Sequence, residues 1–309
     1  TTPMTFVATA NVIVHCGAVP VFVDVDRQTM VLDPDAVEKA MTPRTRAILP
    51  VHFAGRACDM DAMESIAQRH GLHLVEDAAH AIETTSRGRK IGSIGDITCF
   101  SFYVTKNVMT GEGGMVTTSN PDWARRMRTL SLHGLSHDAW NRFSSSGTPH
   151  YDAAEPGFKY NMTDIQAALG IHQLERIEES YARRKQIWQR YDLSFCDLPV
   201  FQLPAVAGPH SRHAMHLYTL LLDLEHLSRD RDFVAAALKA ENIGTGIHYD
   251  AVHLHSYYRE RFGFRRGSYP NAEWLAARTL SLPLGPVMTD EDANDVIVAV
   301  RKVIESIRC

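Results

Sequence analysis

Apolar and polar positions fall into blocks along the first 120 residues, and the blocks change period. Residues 19–25 form an apolar run rich in valine and predict a strand. DPDAVEKAM (33–41) follows as a short helix, with acidic residues at its start where the helix dipole favours them. Residues 45–51 predict another strand. DMDAMESIAQRHG (59–71) is an amphipathic helix, capped by Asp59 and stopped by Gly71. Strands at 72–76, 97–102 and 114–118 complete the first half. Such alternation predicts an α/β fold with a mostly parallel sheet sandwiched by helices.

The second half is less regular. A helix from Asn120 to Arg128 carries Trp123 and several arginines, and a polar loop without periodicity covers 133–158. Loops of that length inside a domain are commonly functional. Tyr160 to about Tyr191 reads as a helical region interrupted near Gly170. A serine- and proline-rich exit runs through about residue 212. HLYTLLLDL then reads as a strand, RDFVAAALKAEN as a helix, and DEDANDVIVAVRKVIESI as a strongly amphipathic closing helix. These elements predict a smaller C-terminal α+β domain. The division is placed in the connecting helix, giving 1–185 and 186–309.

Composition removes several classes of function. The 309 residues suffice for one large or two modest domains, with 45% hydrophobic and 22% charged residues, as in ordinary globular proteins. A formal charge of −4 provides no electrostatic footprint for nucleic acid. No apolar run approaches a membrane span and no signal peptide is visible. The five scattered cysteines (Cys16, Cys58, Cys99, Cys196, Cys309) show no CxxC pairing and predict reduced core thiols in a cytoplasmic protein.

The chemistry concentrates in FSFYVTKNVMTGEGGMVTTS (100–119). A β-rich run ends in a polar turn with one lysine, Lys106, and a reversal through Gly111, Gly113 and Gly114 leads into a second short strand. A partly desolvated lysine there is suited to Schiff-base chemistry. Alone it reads more readily as a solvated loop lysine. Upstream, Asp77 ends the 72–76 strand and is followed by the small residues Ala78, Ala79 and Ala81. In open α/β sheets, ligands bind beyond the carboxyl ends of strands. Alone, Asp77 reads as a helix cap or turn residue. Together they form the pair that pyridoxal phosphate (PLP) needs: a lysine for its aldehyde and a carboxylate for its ring nitrogen.

With these residues in place the sequence resembles the DegT/StrS-type nucleotide-sugar aminotransferases, PLP enzymes of fold type I. The resemblance runs through TFVATAN (5–11), PVFVDVD (20–26), PVHFAG (50–55), VEDAAHA (75–81), FSFYVTKN–TGEGG (100–114), GFKYNMTDIQAALG (157–170), HYDAVHLHSYYRERFG (248–263) and SLPLGPVMTD (281–290). It implies that Lys106 carries PLP and moves protons while Asp77 keeps the pyridine nitrogen protonated. It further implies that Phe6 stacks on the cofactor ring, with a buried core Phe as the competing reading. His80 would lie near the phenolic oxygen, and Ser101 would contact the phosphate. Asn161 would reach the cofactor phosphate of a second subunit, making a homodimer with shared sites, with Thr163 the better helix cap. His248, Tyr249 and His253 would line the sugar pocket.

The resemblance also implies the substrates: L-glutamate as amino donor and a nucleotide-linked keto-deoxysugar as acceptor, C4-keto and serving surface polysaccharide synthesis. Relatives place a helix and a Gly-Thr or Gly-Ser turn that holds the phosphate ahead of the point where this sequence starts, so it reads as a fragment or as a chain lacking its front segment. That keeps open a silent homologue acting as a binding protein. A related sugar dehydratase would have histidine in place of Lys106. The spacing of His248, His253 and His255 is a weak zinc signal, and no metal is expected. No GxGxxG follows a strand, and TGEGG lacks the GxxxxGK[ST] pattern of a phosphate loop.

Overall fold

The computed structural model describes residues 1–135, 152–201 and 208–309. Residues 136–151 of the predicted 133–158 loop, and 202–207 of the predicted exit, lie outside the described residues. The helices and strands of the first half are α1 (Val7–His15), α2 (Pro34–Lys39), β1 (Ala47–Ile48), α3 (Met60–His70), β2 (His73–Asp77), β3 (Thr85–Ser86), β4 (Arg89–Lys90), β5 (Ile97–Ser101), β6 (Gly114–Thr117) and α4 (Pro121–Ser131). Those of the second half are α5 (Asp164–Glu175), α6 (Ile177–Phe195), β7 (Val200–Phe201), β8 (Tyr218–Leu222), α7 (Arg231–Ala240), α8 (Ser256–Phe262), α9 (Pro270–Ala276), β9 (Thr279–Leu282) and α10 (Asp290–Ser306).

The first sheet has the order β1-β2-β5-β6, parallel at β1–β2 and β2–β5 and antiparallel at β5–β6. Its register sets Asp77 opposite Cys99 and Ser101 opposite Gly114. Asp77 and the lysine-bearing turn therefore leave the same edge of the sheet. Two of its three strand pairs are parallel, so the sheet is mixed but mostly parallel, as the alternation of strands and helices predicts.

Local chemistry explains the element ends. Asp59 accepts from Ala62 N at the start of α3, and Gly71 ends the helix in the left-handed conformation. Thr163 caps α5 in a capping box with Gln166, which leaves Asn161 out of that role.

Three expectations need correction, and one competing reading falls. Residues 19–25 form no strand, because their backbone partners lie in no neighbouring strand: Val23 N donates to Thr1 O, the Thr1 ammonium donates to Val21 O, and Val25 makes a single bridge to Leu32. The long helical region breaks at Arg176 rather than Gly170. Gly170 instead lies within α5, where an added Cβ would stand 3.1 Å from Thr110 Cγ2. Only Cys58 is a buried thiol; the other four cysteines are exposed, Cys16 and Cys196 at helix ends and Cys309 at the chain end. Phe6 is not a core residue but 60% exposed.

Two large cores organise the described residues. One gathers Met4, Val23, Ile48, Phe53, Met60, Met63, Ile66 and Leu74 around the first sheet. The other packs the fully buried β8 against β7, β9 and the apolar faces of α6, α7 and α10, through Ile187, Tyr191, Leu220, Leu222, Val234, Val296 and Val300. Each fully buried Leu or Val contributes roughly 1.5–3 kcal/mol, so every such face anchors its helix. The segment before β9 returns to the first body: Ala272 and Leu275 join the first core, and Val252 and Tyr258 pack with Ala10 and Phe22. That return brings Tyr249 to the edge of the first sheet.

Candidate active site

Asp77 ends β2 with its backbone locked, Asp77 N donating to Pro50 O at 2.9 Å and His52 N donating to Asp77 O at 3.0 Å. Its carboxylate takes two hydrogen bonds, from Thr9 Oγ1 to Oδ2 at 2.6 Å and from Ala79 N to Oδ1 at 3.1 Å. Thr5 and Thr9 hydroxyls are 2.7 Å apart. Since Thr9 gives its only hydroxyl proton to Asp77, Thr5 is the donor to Thr9. One turn of α1 and its lead-in thus aim a carboxylate oxygen pair from the sheet edge.

The preceding residue of β2 anchors the strand. Buried Glu76 accepts from Gly95 N and Thr98 Oγ1, each at 2.7 Å, and pairs with His52 Nε2 at 2.8 Å. Cys58 N donates to His52 Nδ1, so the imidazole proton is on Nε2, facing Glu76.

Lys106 is half-buried in the turn after β5. Phe102 closes this turn at both ends, donating from N to Gly113 O and accepting from Thr110 N, and Lys106 N donates to Tyr103 O. Burial lowers the Lys106 amine below the ordinary lysine range, and the charge of Asp77 offsets part of that. Among the described residues Lys106 makes no ion pair. Its amine is therefore closer to the nucleophilic free base than that of a surface lysine.

Three histidines surround this charge. His80 and His216 lie with ring centroids 4.3 Å apart, and both are held well below the ordinary imidazole range, His80 by burial first and then by His216, Lys106 and His248, and His216 by burial first and then by Lys106, His248 and Arg184. His248 is pushed down to about 4 by burial and then by Lys106. All three are neutral at pH 7. Ala54 N donates to His80 Nδ1 at 3.2 Å, so His80 carries its proton on Nε2, 3.1 Å from the Tyr249 hydroxyl. That Nε2–H donates to Tyr249 Oη, which leaves the phenolic proton free to donate. Tyr249 is pushed up by burial and then by the charge of Asp77, so it stays protonated.

The structure brings Lys106, Asp77, His80, Tyr249 and His248 together; the exposed Phe6 ring lies 6.1 Å from Tyr249, and His248 Nδ1 lies 2.8 Å from Ser281 Oγ. Ser101 ends β5, its Oγ accepting from Tyr103 N at 3.3 Å. Asn161 sits apart at the entry to α5, its Oδ1 accepting from Lys159 Nζ at 2.6 Å. His253 is not brought into the cluster. It is fully buried, pairs with Glu273 at 2.9 Å and packs on Tyr269.

Sequence reasoning missed Thr9, Asn107 and His216. Thr5 and Thr9 at helical spacing were visible in TFVATAN, and Asn107 adjoins the lysine. His216 stood at the head of HLYTLLLDL, where the strand pattern masked it. Among the described residues, no three His, Cys, Asp or Glu side chains are placed to hold a metal ion, and no helix is long and apolar enough to cross a membrane.

The residues present fit PLP on their donor chemistry. An amine with a disfavoured ammonium can take the aldehyde, and an oriented carboxylate can hold the protonated ring nitrogen. Neutral donors beside them can meet the ring oxygen.

Comparison with known proteins agrees. A family profile described as the DegT/DnrJ/EryC1/StrS aminotransferase family matches residues 1–301. The spore coat polysaccharide biosynthesis protein SpsC of Bacillus subtilis is 51% identical over 306 residues, covering 99% of this chain and 78% of that protein. Spr1654 from Streptococcus pneumoniae, described as a sugar aminotransferase, superposes in its PLP form with a TM-score of 0.90 at 32% identity, covering 100% of this chain and 81% of that one. DesV from S. venezuelae, solved with a ketimine intermediate, gives 0.86 at 37% identity, over 99% and 77% of the two chains. The chain belongs to the DegT/DnrJ/EryC1/StrS aminotransferase family, and pyridoxal 5'-phosphate is its cofactor.

Proposed function

We propose that this enzyme transfers the amino group of L-glutamate to the C4 keto group of a nucleotide-linked deoxysugar, in the synthesis of a surface polysaccharide. The observation that carries the reading is the placement of the half-buried Lys106 amine and the Asp77 carboxylate at one edge of the sheet, with neutral His80 and Tyr249 beside them. The 51% identity to a protein named for spore coat polysaccharide synthesis supports the sugar and the polysaccharide.

When bound, PLP supplies an electron sink that makes the amino donor's α-hydrogen acidic. The protein's own groups do the rest. Lys106 Nζ would hold the cofactor and, once displaced by the donor's amine, would take the proton from the donor's α-carbon and deliver it as general acid to the cofactor's C4′. Asp77 holds a proton on the ring nitrogen, and Thr5 and Thr9 orient its carboxylate. His80 fixes Tyr249 so that the phenol presents a proton to an oxygen in the site. Ser101 meets the phosphate, Phe6 covers the ring, and His248 faces the sugar. His253 acts only by packing beneath that pocket.

The enzyme works as a homodimer in this reading, with Asn161 reaching the second copy's site. Tyr160 and Ile165 beside it are 74% and 78% exposed, and Leu169 and Ile171 continue the apolar surface along α5. An apolar stretch of that kind needs a partner.

The test is borohydride capture of PLP on the purified chain, with peptide mapping, followed by turnover with L-glutamate and isomeric keto-sugar nucleotides. Capture on Lys106 and amination of a 4-keto sugar are expected. Capture at another lysine overturns the site. Amination of only the 3-keto isomer overturns the C4 assignment, and indifference to glutamate overturns the donor. Lys106→Ala is expected to abolish turnover with an unchanged far-ultraviolet spectrum.

A further inference from the structure

The side chain of Asn107, next to Lys106, is held on three sides. Its Nδ2 donates to Glu83 Oε2 at 2.8 Å and to Ala214 O at 3.3 Å. Both amide protons are thus used, and the end that meets His216 Nδ1 at 2.8 Å is Oδ1. An amide oxygen only accepts, so His216 carries its proton on Nδ1 and presents a bare lone pair at Nε2. This tautomer is opposite to that of His80, whose Nδ1 accepts from Ala54 N.

The clamp is anchored in a second element. Arg184 of α6 pairs with Glu83, both side chains being buried, and donates from Nε to Met215 O at 3.2 Å. The 214–216 strip is pinned to the turn at Phe53–Gly55, Ala214 N donating to Gly55 O at 2.9 Å and His216 N to Ala54 O at 3.1 Å. Three segments distant in sequence therefore converge on the residue after the lysine, and none of them belongs to the lysine's own turn.

We propose that Asn107 and His216 are positioning residues for Lys106: the Glu83-held amide fixes His216 as a neutral Nδ1–H imidazole, and His216 in turn locks the lysine turn in its half-buried place. The proposal rests on the reading of Lys106 as the cofactor-bearing lysine. The charged and titratable groups around His216 are Lys106, His80, His248, His213 and Arg184, with Glu83 behind Asn107. All but Glu83 are cationic or become so on protonation, so the surroundings disfavour an imidazolium. A neutral His216 adds no second positive charge beside the lysine. Losing its hydrogen bond frees the Asn107 oxygen, loosens the turn and lets water reach the amine, which then holds its proton more tightly.

The test reads the lysine itself. The full chain, stripped of cofactor, is labelled with trace acetic anhydride across pH, and the acetylation of Lys106 is quantified by peptide mass spectrometry. In His216→Leu and Asn107→Ala the labelling midpoint is expected to rise by about half a unit to one unit, slowing labelling below the midpoint about three- to tenfold. His216→Asn, whose amide can replace the Nδ1 donor, is expected to restore the wild-type midpoint. An unchanged midpoint in His216→Leu, or equal shifts in the Leu and Asn variants, overturns the proposal. Should the Leu variant fail to fold, imidazole nitrogen shifts of the wild-type chain decide, since an Nε2–H or charged His216 at pH 7 also overturns it. Borohydride capture keeps the two readings apart. Failure to trap PLP on wild-type Lys106 refutes the functional reading, whereas trapping with unshifted labelling refutes only the positioning role.

Discussion

The Thr9 hydroxyl donates to Asp77 Oδ2 at 2.6 Å, tying the first turn of α1 to the end of β2 across 68 residues of sequence. A hydrogen bond to a charged group contributes about 1.5–3 kcal/mol, and among the described residues the Asp77 carboxylate accepts one other, from Ala79 N. Thr9→Val keeps the shape and removes the donor. Its kcat is expected to fall about tenfold or more while the melting temperature drops by only a few degrees, and Thr9→Ser should recover most of the loss. Steady-state kinetics beside thermal melts check this; a Val variant as active as wild type would show that Asp77 needs no orienting partner.

Tyr249 offers the second test, because His80 leaves its phenolic proton free. Tyr249→Phe removes that proton and keeps the ring contacts with Phe53 and Phe6. The expected result is a loss of about tenfold in kcat/KM with stability held within roughly 1 kcal/mol, in keeping with one hydrogen bond to a neutral oxygen. His80→Asn, which can accept from Ala54 N but reaches Tyr249 poorly, should give a similar kinetic loss. Full activity in the Phe variant refutes the donor role.

Much of this architecture was legible in the sequence, and the reason is local. Asp59, Gly71, Thr163 and the apolar periods of α3 and α10 act over a few residues, so a linear reading finds them. Lys106 and Asp77 were legible too, since each follows its own strand. What escaped depends on distant partners. The 19–25 run has strand composition, yet its backbone pairs with Thr1 and bridges Leu32, and no pattern within the run carries that information. His216 becomes a site residue only because Asn107 and His80 reach it. His253 has a site-like neighbourhood in sequence, but Glu273 and Tyr269 draw it into the packing instead.

Gly55 tests how tightly the two halves of the chain must approach. Its φ of +97° lies in the left-handed region, and a Cβ there would stand 2.7 Å from Ala214 Cβ and 3.0 Å from His80 O. Alanine at this position meets both a backbone and a steric penalty, and the atoms it strikes are the strip that carries His216. Gly55→Ala is expected to destabilise the chain by about 2–4 kcal/mol and to cut activity beyond what the unfolded fraction explains. Urea titration with activity measured per folded molecule separates the effects. A neutral substitution would mean that the 214–216 strip can yield without cost.

Burial that keeps a histidine neutral makes stability depend on pH, and His213, at the start of the strip that carries His216, offers a test of it. It is buried against Trp188, its Nδ1 accepts from Met215 N at 2.9 Å, and its Nε2 has no partner among the described residues. Burial first, and then the charge of Arg56, lowers it from 6.5 to about 3. Between those values the unfolded chain binds a proton that the folded chain refuses. Stability therefore rises with pH through this window, is complete above about 6.5, and is lost on acidification towards 3. One such group gives a slope of roughly 1.4 kcal/mol per pH unit within the window. His213→Asn can still accept from Met215 N but cannot titrate. Urea midpoints between pH 7 and pH 5 should fall less steeply in this variant than in wild type, by about one proton's share. Parallel slopes in the two proteins would mean that His213 is protonated in the folded state and that its burial does not govern acid sensitivity.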